Sequence, residues 1–407
     1  MKKKIVLSLL LSNILFAEEA ENKIDSVRQV VGGFNPVQHT NFQIRAGYIS
    51  LNQSSEIDNS SFAIGGHIDL DTKRWNGIKL YASFYTVQGL DTQNDNISKV
   101  NPDFFDKNLE SFSLIPEIYI DATYSKSTIK LGRQLLDSPH ADSDDIRMIP
   151  NYFQAYRIKS NEIDDLTIHA GLIDKMAGWE NGVDSSEFVK ISDVLGTDKP
   201  TDGIYFLGGI YEGLKDISLS AWYYNYDDIA DIFYGEVGYS YDINENIKLS
   251  MGLQYDTSTA SGEELLGKQD SNTFGVSTNI KFSDIGLTAM LAYNYEDDES
   301  GASDLSLGGG VFFTSMEDLT LDAIGTNGSS FVLGVGYNLS DNFLIGGAYG
   351  SFVADDKNIF NSSEIDLVGE YTLNEKISII LAYADIDDKT DTNEDYNQLR
   401  VILNYNF

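Results

Sequence analysis

From about residue 41 onward, apolar and polar positions alternate in runs of roughly ten residues. In the run 395–407, Leu399, Val401, Leu403, Tyr405 and Phe407 share one face, and Arg400, Ile402, Asn404 and Asn406 share the other. Near the start of the alternating region, Phe42, Ile44, Ala46 and Tyr48 oppose Gln43, Arg45 and Gly47. In 114–125, Ile118, Ile120, Ala122 and Tyr124 oppose Glu117, Tyr119, Asp121 and Thr123. A period of two is the signature of a strand, and no stretch of eleven or more residues sustains a helical period. Eighteen segments qualify: 41–52, 61–70, 78–87, 114–125, 127–136, 152–160, 166–176, 203–212, 217–226, 231–242, 247–257, 270–282, 285–294, 329–338, 342–353, 362–373, 376–386 and 395–407. A soluble β-sandwich also alternates. It does not repeatedly set charged side chains at mid-strand opposite a wholly apolar face with aromatic ends. The expected fold is therefore all-β: a transmembrane antiparallel β-barrel of about 18 strands, an even number as bacterial single-chain barrels require.

The connections point the same way. Links after even-numbered segments are mostly tight, as at Ser283 and Asp284, Leu339 to Asp341, and Asn374 and Glu375. Links after odd-numbered segments are mostly long: 88–113, 137–151, 177–202 and 295–328, with 227–230 a short exception. Barrels carry short periplasmic turns and long external loops, which puts both ends of the barrel in the periplasm.

The first residues set the compartment. Lys2, Lys3 and Lys4 precede the apolar run Ile5 to Phe16, and Ala17 offers a small residue for cleavage, although Leu15 is larger than signal peptidase usually prefers. This is the pattern of a signal peptide, 1–17, too short for a membrane span. Residues 18–40 are then expected to form a periplasmic N-terminal segment before a barrel over 41–407. Cysteine is absent, so an exported chain must rely on its fold, and a closed barrel pairs every backbone group internally. The net charge of −35 falls by a further three when the leader lysines are removed, which excludes nucleic acid as a partner. The acid is read as solvated external loops, as divalent-cation binding near lipopolysaccharide, or as cation steering at a pore mouth. Outer-membrane lipid and lipopolysaccharide are the expected surroundings.

At the other end, Phe407 follows Tyr405 and Leu403 at spacing two. A terminal aromatic on an amphipathic strand resembles the signal recognised by the barrel assembly machinery, so Phe407 and Tyr405 are the expected assembly signal.

One stretch is more specific. Lys130 to Ser160 contains Gly132-Arg133-Gln134 closing a strand, then Asp144-Asp145-Ile146-Arg147-Met148-Ile149-Pro150, then a strand opening Phe153-Gln154-Ala155-Tyr156. It resembles the OprD-type outer-membrane porins, substrate-preferring eighteen-stranded channels, and their epsilonproteobacterial relatives. Gly308 to Gly310 with Phe313-Thr314-Ser315-Met316 adds a second likeness. The resemblance implies that the loop 137–151 folds inward and narrows the pore. It also implies passive diffusion of small solutes and ions with a preference for amino acids or small carboxylates, and a looser or monomeric assembly, whereas general porins form a homotrimer; no cofactor is expected. Opposed fixed charges in a narrow lumen select and orient solutes. Here Asp144, Asp145 and Arg147 supply them; alternatively, they pin the loop to the wall. Arg45, Lys79, Lys130, Arg157, Lys159, Lys248 and Arg400 fall on the lumen parity, and Glu117, Asp121, Glu236, Asp366 and Glu370 supply acid there. The resemblance makes the basic residues a row that guides a carboxylate; the alternative is a polar lumen in charge balance. Arg133 is assigned to the pore although alternation groups it with Ile129 and Leu131.

Two other classes are weighed. A barrel hydrolase needs Ser, His and a polar orienter in contact, and the four histidines, His39, His67, His140 and His169, stand near no serine motif. Neither HExxH nor paired cysteine offers a metal site. A surface adhesin or structural barrel remains compatible with the long acidic loops. A plugged siderophore receptor does not fit, because too little chain precedes the first strand.

Overall fold

The computed structural model describes residues 37–54, 56–90, 96–390, 392 and 394–407. The expected signal peptide and residues 18–36 of the expected N-terminal segment lie outside the described residues.

The wall is one antiparallel sheet. Its strands are β1 (Val37–Gln53), β2 (Asn59–Thr72), β3 (Ile78–Gly89), β4 in two segments (Phe112–Leu114 and Ile118–Tyr124), β5 (Ser127–Gln134), β6 (Tyr152–Ile163), β7 (Leu166–Ala177), β8 (Ile204–Leu214) and β9 (Ile217–Tyr226). They continue as β10 (Ala230–Asn244), β11 (Ile247–Ala260), β12 (Ser271–Phe282), β13 (Leu287–Glu296), β14 (Gly328–Ser340), β15 (Phe343–Ala354), β16 (Asn361–Asn374), β17 (Ile377–Asp388) and β18 (Tyr396–Asn406). Each strand pairs with the next, and β18 pairs with β1 from Gln43 opposite Asn406 to Gln53 opposite Tyr396. Among the described residues the sheet thus closes into a barrel of 18 strands with no free edge. Among the described residues no helix is long and apolar enough to cross a membrane.

All eighteen expected strands are present, with ends displaced by a few residues. Two differences have physical causes. β1 starts at Val37, so residues 37–40 belong to the barrel; His39 and Thr40 pair with Asp71 and Leu70 in register. β4 carries one extra residue, since Tyr85 opposes Leu114 whereas Ala82 opposes Ile118. The surplus forms a bulge over 115–117 that locally bends the strand. The two-residue turns Ser125-Lys126, Asp164-Asp165 and Lys215-Asp216 lie at the barrel end that also holds the start of β1 and the end of β18. Asp165 and Asp216 take φ of 60° and 62° there, a left-handed conformation that aspartate tolerates better than most residues.

The alternation sorts cleanly into two surfaces. Along β14, Phe331, Leu333, Val335 and Tyr337 are exposed on the outside, while Ser330 and Val332 are buried. Along β4, Ile118 and Ile120 are exposed, while Glu117 and Asp121 are buried. An apolar outer band against a polar inner face is what lipid on one side and water on the other demand. The interior is partly filled. Three connecting segments lay apolar side chains on the inner wall: Phe104, Phe105, Met148 and Ile149 against Ile49, Tyr85 and Val87; Leu136, Ala141, Leu305 and Leu307 against Phe206, Trp222 and Tyr224; Phe312, Met316 and Leu321 against Met290, Val332 and Phe352.

Candidate functional site

Segment 137–151 leaves β5 as a tight fold closed by its own side chains. Asp137 accepts from the Ser143 N–H (3.2 Å) and hydroxyl (2.6 Å), and Asp142 Oδ1 accepts the Asp144 N–H (2.8 Å). Its charged residues then reach wall strands on either side. Arg45 on β1 forms a fork with Asp145 at 2.5 and 2.9 Å, donates from Nε to Asn404 of β18 (2.8 Å), and donates to the Arg147 carbonyl (2.9 Å). Arg147 donates to Asp103 (3.0 Å) and to Gln398 of β18 (3.1 Å), and its guanidinium stacks 4.2 Å over the Trp179 ring. Arg400, also on β18, donates to Glu317 (2.6 Å) in the segment that follows β13. The planar, multiply donating guanidinium suits each of these bidentate or stacked roles. Asp144, Asp145 and Arg147 are close in sequence, yet Asp145 and Arg147 find their ion-pair partners on other elements.

Three connecting segments converge beside Asp144. Asn151 donates to Glu180, whose other carboxylate oxygen accepts the Gly309 N–H (3.4 Å). Gly308 fits the junction because a β-carbon there would lie 2.5 Å from both the Asp142 carbonyl and Asn151 Nδ2, and its φ of 86° suits glycine. Burial, with Glu180 and Asp142 nearby, holds the Asp144 carboxyl well above the usual carboxylate range, and burial raises Glu180 as well. The acidic side of this junction therefore carries its charge reluctantly.

A second charged set lies closer to the short-turn end of the barrel. In register across neighbouring strands stand Asp121 of β4, Lys130 of β5 and Arg157 of β6. Lys130 sits 4.5 Å over the Tyr119 ring, which stacks on Tyr81. Arg157 lies in the field of Asp137, Asp121 and Glu117. Asp121 also pairs with Arg74 (2.7 Å), and Lys79 with Asp71 (2.5 Å). Glu364, Asp366 and Glu370 of β16 are buried acids, and Glu364 accepts backbone N–H groups of Asp318 and Leu319.

The structure thus brings together Lys130, Arg157, Glu117 and Asp121 in one wall sector, and Arg45, Asp145 and Arg147 in one network, while Arg400, on the same strand as Asn404 and Gln398, pairs separately with Glu317. Arg133 is a correction to the expected pore lining. It stays on the outer parity opposite Ile118, donates to the Ile115 carbonyl (3.2 Å) and stacks on Phe188. The period of two runs unbroken through Gly132, and the β4 bulge presents the carbonyl that receives the guanidinium. Lys248 sits exposed near the turn end of β11, opposite Asp242 and Lys281. Glu180, Asp103 and Asp256 carry no sequence signal, because each acquires its role only where separate segments meet. His140 meets Asp256 through Nε2 (2.7 Å) and faces the Leu305 carbonyl, an acceptor, through Nδ1 (3.3 Å), so neither ring nitrogen is left for a serine nucleophile. Among the described residues no three His, Asp or Glu side chains converge as metal ligands.

A closed 18-strand barrel, apolar outside and charged within, is the architecture of an outer-membrane diffusion channel. The comparisons give the family: the chain belongs to the OprD family of outer membrane porins, whose model matches residues 88–318. It is accordingly a channel of the outer membrane for small solutes, not an enzyme. Solved structures share the fold at low identity. OccK9 (OpdG) from Pseudomonas aeruginosa superposes with a TM-score of 0.79 at 15% identity, over 90% of this chain and 97% of that one. OpdK with vanillate, from the same organism, gives 0.76 at 17%, over 90% and 98%. A BenF-like porin from Pseudomonas fluorescens Pf-5 gives 0.77 at 15%, over 90% and 98%. No curated protein matches the chain.

Proposed function

We propose that the channel admits small carboxylate-bearing or zwitterionic nutrients, such as amino acids and short organic acids, and that segment 137–151 forms its constriction. The observation that carries this reading is the pairing of opposite charge at two levels. Acid gathers where Asp144 meets Glu180, and the Lys130–Arg157 pair follows toward the short-turn end, beside Asp137. A solute bearing an ammonium and a carboxylate group meets a partner for each. In a narrow, partly dehydrated lumen each charge acts more strongly than on the surface. Segment 137–151 supports the constriction role through its contacts with β1 and β18 on one side and β11 on the other. The relative OpdK was solved with vanillate, itself a carboxylate.

The test compares Arg157→Ala with a combined Asp144→Asn and Asp145→Asn variant. Neutralising the aspartates should raise conductance or lower cation preference, and Arg157→Ala should slow carboxylate uptake. Unchanged conductance, selectivity and uptake in both would refute the constriction and its charge logic.

A further inference from the structure

His140 is fully buried, as is Asp256 on β11, and their side chains meet at 2.7 Å. The other ring nitrogen lies 3.3 Å from the Leu305 carbonyl in the segment between β13 and β14. Both ring nitrogens thus face acceptors, an arrangement satisfied when both carry protons and Asp256 balances the charge. Around the ring, the backbone links the same two segments. The Leu307 N–H donates to the His140 carbonyl (3.0 Å), the Asp142 N–H donates to the Leu307 carbonyl (2.9 Å), and Ala141 and Leu307 bridge in parallel. From β9, the Tyr226 hydroxyl donates to the same Leu305 carbonyl, and the Tyr224 hydroxyl accepts the His140 N–H (3.4 Å). One side chain therefore ties segment 137–151 to the wall and to the segment after β13.

Replacing a buried ion pair with well-packed apolar residues is often no less stable, so such a pair is weak evidence for stability alone. What it supplies is a single geometry, because removing either partner strands the other in an apolar shell. Leu136, Ala141, Leu305 and Leu307 pack around it without directional preference. Apolar contacts of that kind tolerate sliding; a histidine held at both nitrogens does not.

We propose that His140 and Asp256 are positioning residues: their pair fixes where segment 137–151 crosses the channel, and so fixes the aperture, without lining the solute path. The proposal rests on the constriction reading above. Single-channel recording of His140→Ala and Asp256→Asn should show loss of the steady conductance level, replaced by switching between levels. The chain has no cysteine, so Ala141→Cys with Leu307→Cys forms one defined cross-link between the two segments. Oxidised, that pair should restore a steady level to His140→Ala, and a reductant should abolish the rescue. A merely destabilised barrel would lose folded, heat-modifiable protein and gain nothing from the cross-link. Should His140→Ala not fold, Asp256→Asn, which keeps shape and removes charge, carries the test. Steady wild-type levels in the folded variants overturn the proposal. If the Asp144/Asp145 variant still shifts ion preference, the constriction reading survives that result; if it too is silent, both fail.

Discussion

At the scale of single residues, the channel's chemistry depends on carboxyls whose surroundings oppose their charge. Asp144 is held well above the ordinary carboxylate range by burial and by the charges of Glu180 and Asp142, and Glu180 is raised by burial with Asp142 nearby. A carboxyl with a raised value in the folded state keeps its proton at a pH where the unfolded chain has lost it. It therefore weakens the folded state at neutral pH, and that penalty lifts as pH falls through the raised value. As the pH is lowered, cation preference should decline in the interval above about 4, where free carboxylates are still charged. Reversal potentials across that interval check it, and a preference constant down to about pH 4 would contradict it. Asp144 is legible in the sequence as part of a charged loop and Glu180 is not, while wall residues such as Arg45 and Arg400 are legible as charged positions on the lumen parity but their partners are not. Arg45 finds Asp145 a hundred residues away, and Arg147 finds Asp103 and Gln398. Such pairings are set by which loop reaches which wall. Arg133 is of a type that suits a pore, but its parity, which is physically decisive, places it on the outer face opposite Ile118.

At the scale of elements, alternation located every strand, because lipid and water impose opposite demands on successive side chains. It missed the bulge in β4, since one surplus residue changes register without changing composition. It also missed the early start of β1, where His39, although polar and solvent-accessible, joins the ladder through Asp71. The closing pair of strands carries a prediction of its own. Phe407 donates its N–H to the Phe42 carbonyl (3.0 Å) and packs its ring 4.3 Å from Tyr405, joining the end of β18 to β1. We propose that Phe407 and Tyr405 form the assembly signal. Phe407→Asp should lower the yield of folded, heat-modifiable barrel in outer membranes, since a charge on the lipid-facing edge is costly near the apolar band. Wild-type yield would remove Phe407 from that role.

At the scale of the whole molecule, the barrel separates two tasks: its outside satisfies lipid, and the segments within it are proposed to set the passage. We propose the orientation that the connections suggest, short turns in the periplasm and long segments outside. Cysteines introduced singly in 297–327 at exposed positions should be labelled on intact cells by a membrane-impermeant reagent, and those at turns 341–342 and 375–376 should not; the reverse pattern would invert the topology. The charge distribution bears most directly on the central claim, that a channel narrowed by an acid-bearing segment sorts small charged solutes. The measurement is the reversal potential of single channels in a planar bilayer under a salt gradient. The account predicts discrete conductance steps with cation preference. That preference should weaken only partly as salt shortens the screening length from about 10 Å at 0.1 M to about 3 Å at 1 M, because charges in the constriction are less screened than those at the mouth. Anion preference at low salt, or no conductance steps from folded barrels, would contradict it.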